Sequence, residues 1–287
     1  MADPNLFFDP RLTPARPDLA AKHLEGKVKA ERFVEGVEYE VFDPIAPVRR
    51  SPSHDAPLET EALKGERVTI YDRNEDGWAW GQLQADGYVG WLPDAALVSP
   101  RGKPTHKISV LRTFAFPGPS IKLPPVEALP LGAQIEIVKT DGAFAITSQR
   151  HYLPLQHVAA LGARENDFVC VAERFVGTSY LWGGKSNLGI DCSGLVQISL
   201  AAAGVQAPRD SDMQETALGT LLAPAKWDDP QRGDLIFWKG HVAIVRDHNT
   251  IVHANAHHMA TAIEDTRDAI ARIKAAGSGV TSIKRME

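Results

Sequence analysis

The sequence predicts a chain of separate domains: two small all-β modules, then an α+β domain. Three observations carry this. Short runs of alternating apolar residues, broken by Asp-Gly steps, fill residues 36–160. The plan of the first set of runs recurs in the second. After about Leu161 the alternation gives way to helix-period segments followed by strands. With 287 residues, 44% hydrophobic and 23% charged, the chain is long enough to hold two or three cores.

Residues 1–35 form a proline-rich arm in which "DLAAKHLEGKVKAERFVEG" fits one short helix packed on a neighbouring domain. Residues 36–98 make the first β module. The segments "EYEVFDPIAPVRRSP" and "ERVTIYDRNEDGWAWGQLQADGYVGWLP" alternate, with turns expected at Asp76-Gly77 and Asp86-Gly87 and with Trp78, Trp80 and Trp91 as core. Residues 99–160 repeat the plan, "LPLGAQIEIV...DGAFAITS" against "ALKGERVTIY...DGWAWGQL", with few identities. Residues 161–287 open with two helices, "ENDFVCVAERFVGT" and "DCSGLVQISLAAAGV", the second ended at Gly204. Two strands around a turn, "GDLIFWKGHVAIVRD", and a further strand, "TIVHANA", follow.

Composition narrows the function. A net charge of -5 supplies no basic field for nucleic acid or an anionic membrane, and no apolar run approaches the ~18 residues of a span. A small or peptide-like partner is expected. The first residues lack the apolar segment of an export signal, so a cytoplasmic location is expected, with a monomer favoured. Only Cys170 and Cys192 occur, so a disulfide scaffold is not expected. Cys170, on the apolar stripe of its helix, reads as core.

Cys192 sits where a glycine-rich loop becomes a helix. Unpaired N–H groups and the positive end of the helix dipole at that place favour a thiolate. Asp191 is a candidate N-cap, and Gly183, Gly184 and Gly189 allow tight backbone on the approach. The plain alternative is a small buried hydrophobe. A thiolate nucleophile also needs a base and an orienting group. His241 and His253 lie on consecutive strands; paired as neighbours, those strands would bring the two imidazoles together, one toward the sulfur and one holding its partner's tautomer. His248, His257 and His258 fall into no metal-ligand pattern, so neither a metal nor another cofactor is expected.

The blocks "YLWGGKSNLGIDCSGLVQ", "PQRGDLIFWKGHVAIV" and "IVHANA" together resemble the signature of the NlpC-type family of papain-like cysteine peptidases, over about Asn166 to the C-terminus. The two β modules resemble bacterial SH3-like domains, "DGYVGWLP" being the most specific part of that likeness. The resemblance implies an α+β fold with a papain-like C-terminal catalytic domain behind two SH3-like barrels. It also implies Cys192 as nucleophile, His241 as general base and acid, His253 as orienting residue, and Tyr180 beside the oxyanion position.

The whole arrangement is similar to the γ-D-glutamyl-L-diamino acid endopeptidases, which implies murein peptide recycling. The implied substrate is a short muropeptide with a free N-terminal amine, L-Ala-γ-D-Glu-diamino acid. A buried ammonium needs carboxylate or hydroxyl partners. Asp210 and Ser211 stand at the positions where the resembling enzymes hold that amine, while Asp191 and Ser193 flank the nucleophile. Tyr88 and Glu61 or Glu59 are candidates from the first SH3-like module, and Trp182 could line the cleft. Arg209 could equally be structural, pairing with a nearby acid. Two rivals remain open: an amidase or acyltransferase on another substrate with the same Cys/His/His site, and a non-catalytic peptide-binding protein.

Overall fold

The computed structural model describes residues 8–286 and divides into two compact units, one up to Leu161 and one from Gly162 onward. The first seven residues of the predicted arm lie outside the described residues.

The N-terminal unit is built almost wholly of strands. Seven of them form one sheet in the order Leu58–Leu63, Ile45–Arg49, Val89–Pro93, Trp78–Leu83, Arg67–Arg73, Val37–Val41 and Leu97–Val98. The Asp-Gly steps are turns, with Gly77 and Gly87 at φ +81° and +77°, a region open to glycine without a Cβ penalty. Alternation sends Val41, Val48, Val68, Ile70, Leu83 and Leu92 into one core. Trp78 and Trp80 are buried, whereas Trp91 is half-buried, with the Arg16 guanidinium 4.5 Å from the Trp80 ring and 4.9 Å from that of Trp91.

Arg16 belongs to the arm, where the expected helix does not form. Leu19–Ala21 instead pairs in parallel with Arg32–Val34, with a single 3-10 turn between them. Leu19, Ala20 and Ala21 are fully buried, so three consecutive residues face inward, and extended chain with neighbours on both sides accommodates that. Residues 106–160 fold around a smaller core of Ile108, Leu129, Ile135 and Leu153, with their strands split among one two-stranded and two three-stranded sheets.

The C-terminal unit has helices α1 (Phe168–Arg174), α2 (Cys192–Ala202), α3 (Ser211–Ala217) and α4 (Thr266–Ala275). Its six-stranded antiparallel sheet runs Thr220–Leu221, Val280–Arg285, Leu235–Trp238, His241–Val245, Thr250–Asn255, Ala260–Asp265. The two helices expected before the sheet are α1 and α2, and Gly204 follows α2 at φ +83°. From Cys192 to Leu200 every α2 residue is buried, consistent with a helix that is apolar nearly all round and packs on α1 and on the His241 and His253 strands. On the sheet, Ile236, Ala243, Val245, Ile251 and Ile283 form a cluster with Ala269, Ile270 and Ile273 of α4.

Candidate active site

Two interactions fix the start of α2. Asp191 is its N-cap, accepting from the Gly194 N–H at 2.7 Å. The helix also abuts the glycine-rich loop so closely that a Cβ on Gly194 would lie 2.3 Å from the Gly184 carbonyl oxygen. Arg209, 1% exposed, then locks the corner: its guanidinium donates to both Asp191 oxygens at 2.9 and 2.7 Å, to Ser193 Oγ at 2.9 Å and to the Gly184 carbonyl at 3.2 Å. Gly183 N–H adds a further bond to Asp191 at 2.8 Å. Asp191 and Ser193, expected beside the nucleophile as substrate-binding residues, are engaged in this buried network, and Arg209 takes the structural alternative.

Across the sheet, Ile244 pairs with Val252 and Val245 with Ile251, so alternation puts His241 and His253 on one face. Their rings meet with His241 Nε2 3.0 Å from His253 Nδ1. The chain continues beyond the residues singled out from sequence. His253 Nε2 lies 3.0 Å from Glu264 Oε2, and Arg272 of α4 donates to Glu264 Oε1 at 3.0 Å and to Oε2 at 2.6 Å. Sequence reasoning missed Glu264 and Arg272. A signal existed, because Asp265 caps α4 by accepting from Arg267 and Asp268 N–H groups, and this fixes where the preceding strand ends. Ligand atoms of His253, His258 and Glu264 also lie within 4.8 Å of one another. The bidentate guanidinium on Glu264 disfavours a cation there.

Burial pushes the Cys192 thiol up to about 12, with the Asp191 charge adding to it, against backbone N–H groups of Val242 and Ser193 and the Arg209 charge. The helix-start preference for thiolate is thus outweighed by desolvation. Burial, then the neighbouring His253, pushes His241 down to about 3. Burial also holds His253 near 4 despite Glu264. Burial thus favours the uncharged form of all three groups, the thiol and the two imidazoles.

These depressed histidines link folding to pH. In the unfolded chain they titrate near 6.5, so below that value the unfolded state binds more protons. Stability is expected to fall as pH drops from about 6.5 toward 4, by up to about 1.4 kcal/mol per pH unit for each of the two histidines. Urea midpoints measured across that window should shift less for His253→Asn than for the unmodified chain. Equal shifts would mean that His253 titrates normally when folded.

Tyr180 is half-buried, and burial together with the charges of Cys192 and Asp191 pushes its phenol well up, so it remains a donor. Trp182 is 65% exposed on the same loop. Asp210 is the residue before α3 and Ser211 its first residue, both half-buried. In the N-terminal unit, Tyr88 is 2% exposed inside the module core with its hydroxyl donating to Glu59 at 3.4 Å, while Glu61 is buried on the Leu58–Leu63 strand. Tyr88 thus packs into the module core while its hydroxyl faces Glu59, the other candidate acid. Cys170 is exposed rather than core, with its sulfur 3.2 Å from Arg232 and Asp167, since its position in the short α1 faces outward.

Comparison with known families agrees with this geometry. The NlpC/P60 family model matches residues 177–274, spanning Tyr180, Cys192, both histidines and Glu264. The C-terminal unit is an NlpC/P60 cysteine peptidase domain. Ahead of it, residues 48–97 match the bacterial dipeptidyl-peptidase SH3 domain. Among curated relatives, a gamma-D-glutamyl-L-lysine dipeptidyl-peptidase of Bacillus cereus is 27% identical over 69% of this chain and 67% of its own length. A dipeptidyl-peptidase 6 of Lysinibacillus sphaericus is 29% identical over 74% and 85%. A crystal structure of an NlpC/P60 family protein from Bacillus cereus superposes with a TM-score of 0.73 at 19% identity, covering 87% of this chain and 99% of that one. That likeness establishes a shared fold, an SH3-like domain with a papain-like NlpC/P60 domain.

Proposed function

We propose that this protein is an endopeptidase that cuts the γ-D-glutamyl to diamino acid bond of short muropeptides with a free N-terminal L-alanine, in murein peptide recycling. The observation that carries the reading is the His241–His253 pair at 3.0 Å in a domain whose helix α2 begins at Cys192. The likeness to a gamma-D-glutamyl-L-lysine dipeptidyl-peptidase of Bacillus cereus supports the choice of bond.

Cys192 Sγ attacks the γ-D-glutamyl carbonyl as its proton passes to His241 Nδ1, the nitrogen left free by the bond to His253. Tyr180 donates toward the developing oxyanion. His241 returns the proton to the leaving amine, the C–N bond breaks, and a water deprotonated by the same histidine hydrolyses the thioester. The substrate ammonium is received by Asp210 and Ser211. Residues 99–160 are a second SH3-like module in this reading, supported by the repeated plan of strand, proline-rich excursion and Asp-Gly turn.

The test is incubation of the purified protein with L-Ala-γ-D-Glu-meso-diaminopimelate, its lysine counterpart and their N-acetylated forms, with products followed by mass spectrometry. Release of L-Ala-D-Glu from the free-amine peptides alone is expected. Cleavage of acetylated peptides as well would remove the amine requirement, and cleavage of none would remove the substrate class.

A further inference from the structure

We propose that Glu264, held by Arg272, is a positioning residue that sets the proton pattern of both histidines and so leaves His241 Nδ1 as the lone pair for Cys192. Its kinetic consequences rest on the peptidase reading above; its structural consequence does not. The carboxylate accepts two guanidinium N–H groups from Arg272 and remains an acceptor toward His253. Burial would raise the Glu264 carboxyl, but the Arg272 guanidinium and then His253 outweigh it and keep the group below its usual range, so it is ionised at neutral pH.

An ionised carboxylate only accepts, so the proton of neutral His253 must sit on Nε2. Its Nδ1 is then an acceptor, and the 3.0 Å contact requires His241 to donate from Nε2. One tautomer at each ring satisfies the whole chain, and it ends with an unprotonated His241 Nδ1. When His241 accepts a proton during turnover, the Glu264 carboxylate, itself staying ionised, stabilises the imidazolium electrostatically by polarising the neutral His253 between them. The fold supplies this through register: His253 pairs with Ala262 and Ile251 with Glu264, placing the carboxylate diagonally across from His253 on the same face, while α4 returns over that face to deliver Arg272.

The experiment uses the full chain carrying ¹⁵N-histidine. NMR at neutral pH should show His241 and His253 both neutral and protonated at Nε2. Protonation of His253 at Nδ1 would overturn the proposal whatever the activity. In Glu264→Gln the amide can present either a donor or an acceptor, so His253 should lose its single tautomer. With the cleaved peptide, kcat should fall by about 10²-fold with KM little changed, less than the ~10⁴ for an amide placed directly on a catalytic histidine. Arg272→Lys keeps a cation on Glu264 and should retain both tautomers and most of kcat. An unchanged kcat and unchanged tautomers in a folded Glu264→Gln would refute the role. If that variant fails to fold, the unmodified chain and Arg272→Lys decide the matter through their tautomers. Peptide left uncut by the unmodified chain would count against the peptidase reading, while the NMR result would still judge the proton pattern.

Discussion

Cys192→Ala and His241→Ala should each reduce muropeptide turnover by about 10⁵-fold or more, and the double variant should be no worse than the worse single one. The reason is the mutual dependence of the two groups. Burial disfavours the charged form of each group, pushing the thiol up and His241 down, so in the proposed mechanism the nucleophile forms only as the proton moves to His241 in the transition state. Alkylation of Cys192 by iodoacetamide separates this from a simple loss of substrate contact. Its rate at pH 7 should fall sharply in His241→Ala, because no nearby base then removes the thiol proton. A rate unchanged by that substitution would mean that the helix start alone supplies the thiolate, and that desolvation matters less than the buried position implies.

The parts of the fold that read clearly from sequence are those whose information is local. The helix at Cys192 follows from a capping aspartate before an apolar run, and the hairpin through Lys239-Gly240 from two apolar runs around a glycine at φ +74°. The proximity of His241 and His253 required one further assumption, that consecutive strands are neighbours. Glu264 and Arg272 required two more: the register of the next strand, and the face onto which α4 folds. Neither is local. The arm misled for the same reason, since "DLAAKHL" has acceptable helix periodicity, yet Leu19–Ala21 is extended against Arg32–Val34 and buried on both faces. Cys170 reads as core on a helical stripe, but α1 is only seven residues long, too short for periodicity to fix its inward face.

Arg209→Met should destabilise the C-terminal unit by about 3–5 kcal/mol, the larger part from the buried Asp191 carboxylate that it leaves behind. Arg209 supplies two of the bonds to that carboxylate, and the Gly183 and Gly194 N–H groups and the Ser193 hydroxyl that remain are neutral donors unable to offset a full charge in a desolvated corner. The comparison that tests this is a double-mutant cycle with Asp191→Asn. The amide oxygen can still cap α2 through Gly194, and no net charge is buried once both residues are neutral. The double variant should therefore be more stable than Arg209→Met alone, with a coupling of at least about 1 kcal/mol. Additive losses would mean that Arg209 acts mainly by filling volume under the loop. Activity should separate from stability in the same cycle. The pair also sets where α2 begins, so the double variant should recover fold more fully than turnover, measured as kcat below the melting transition.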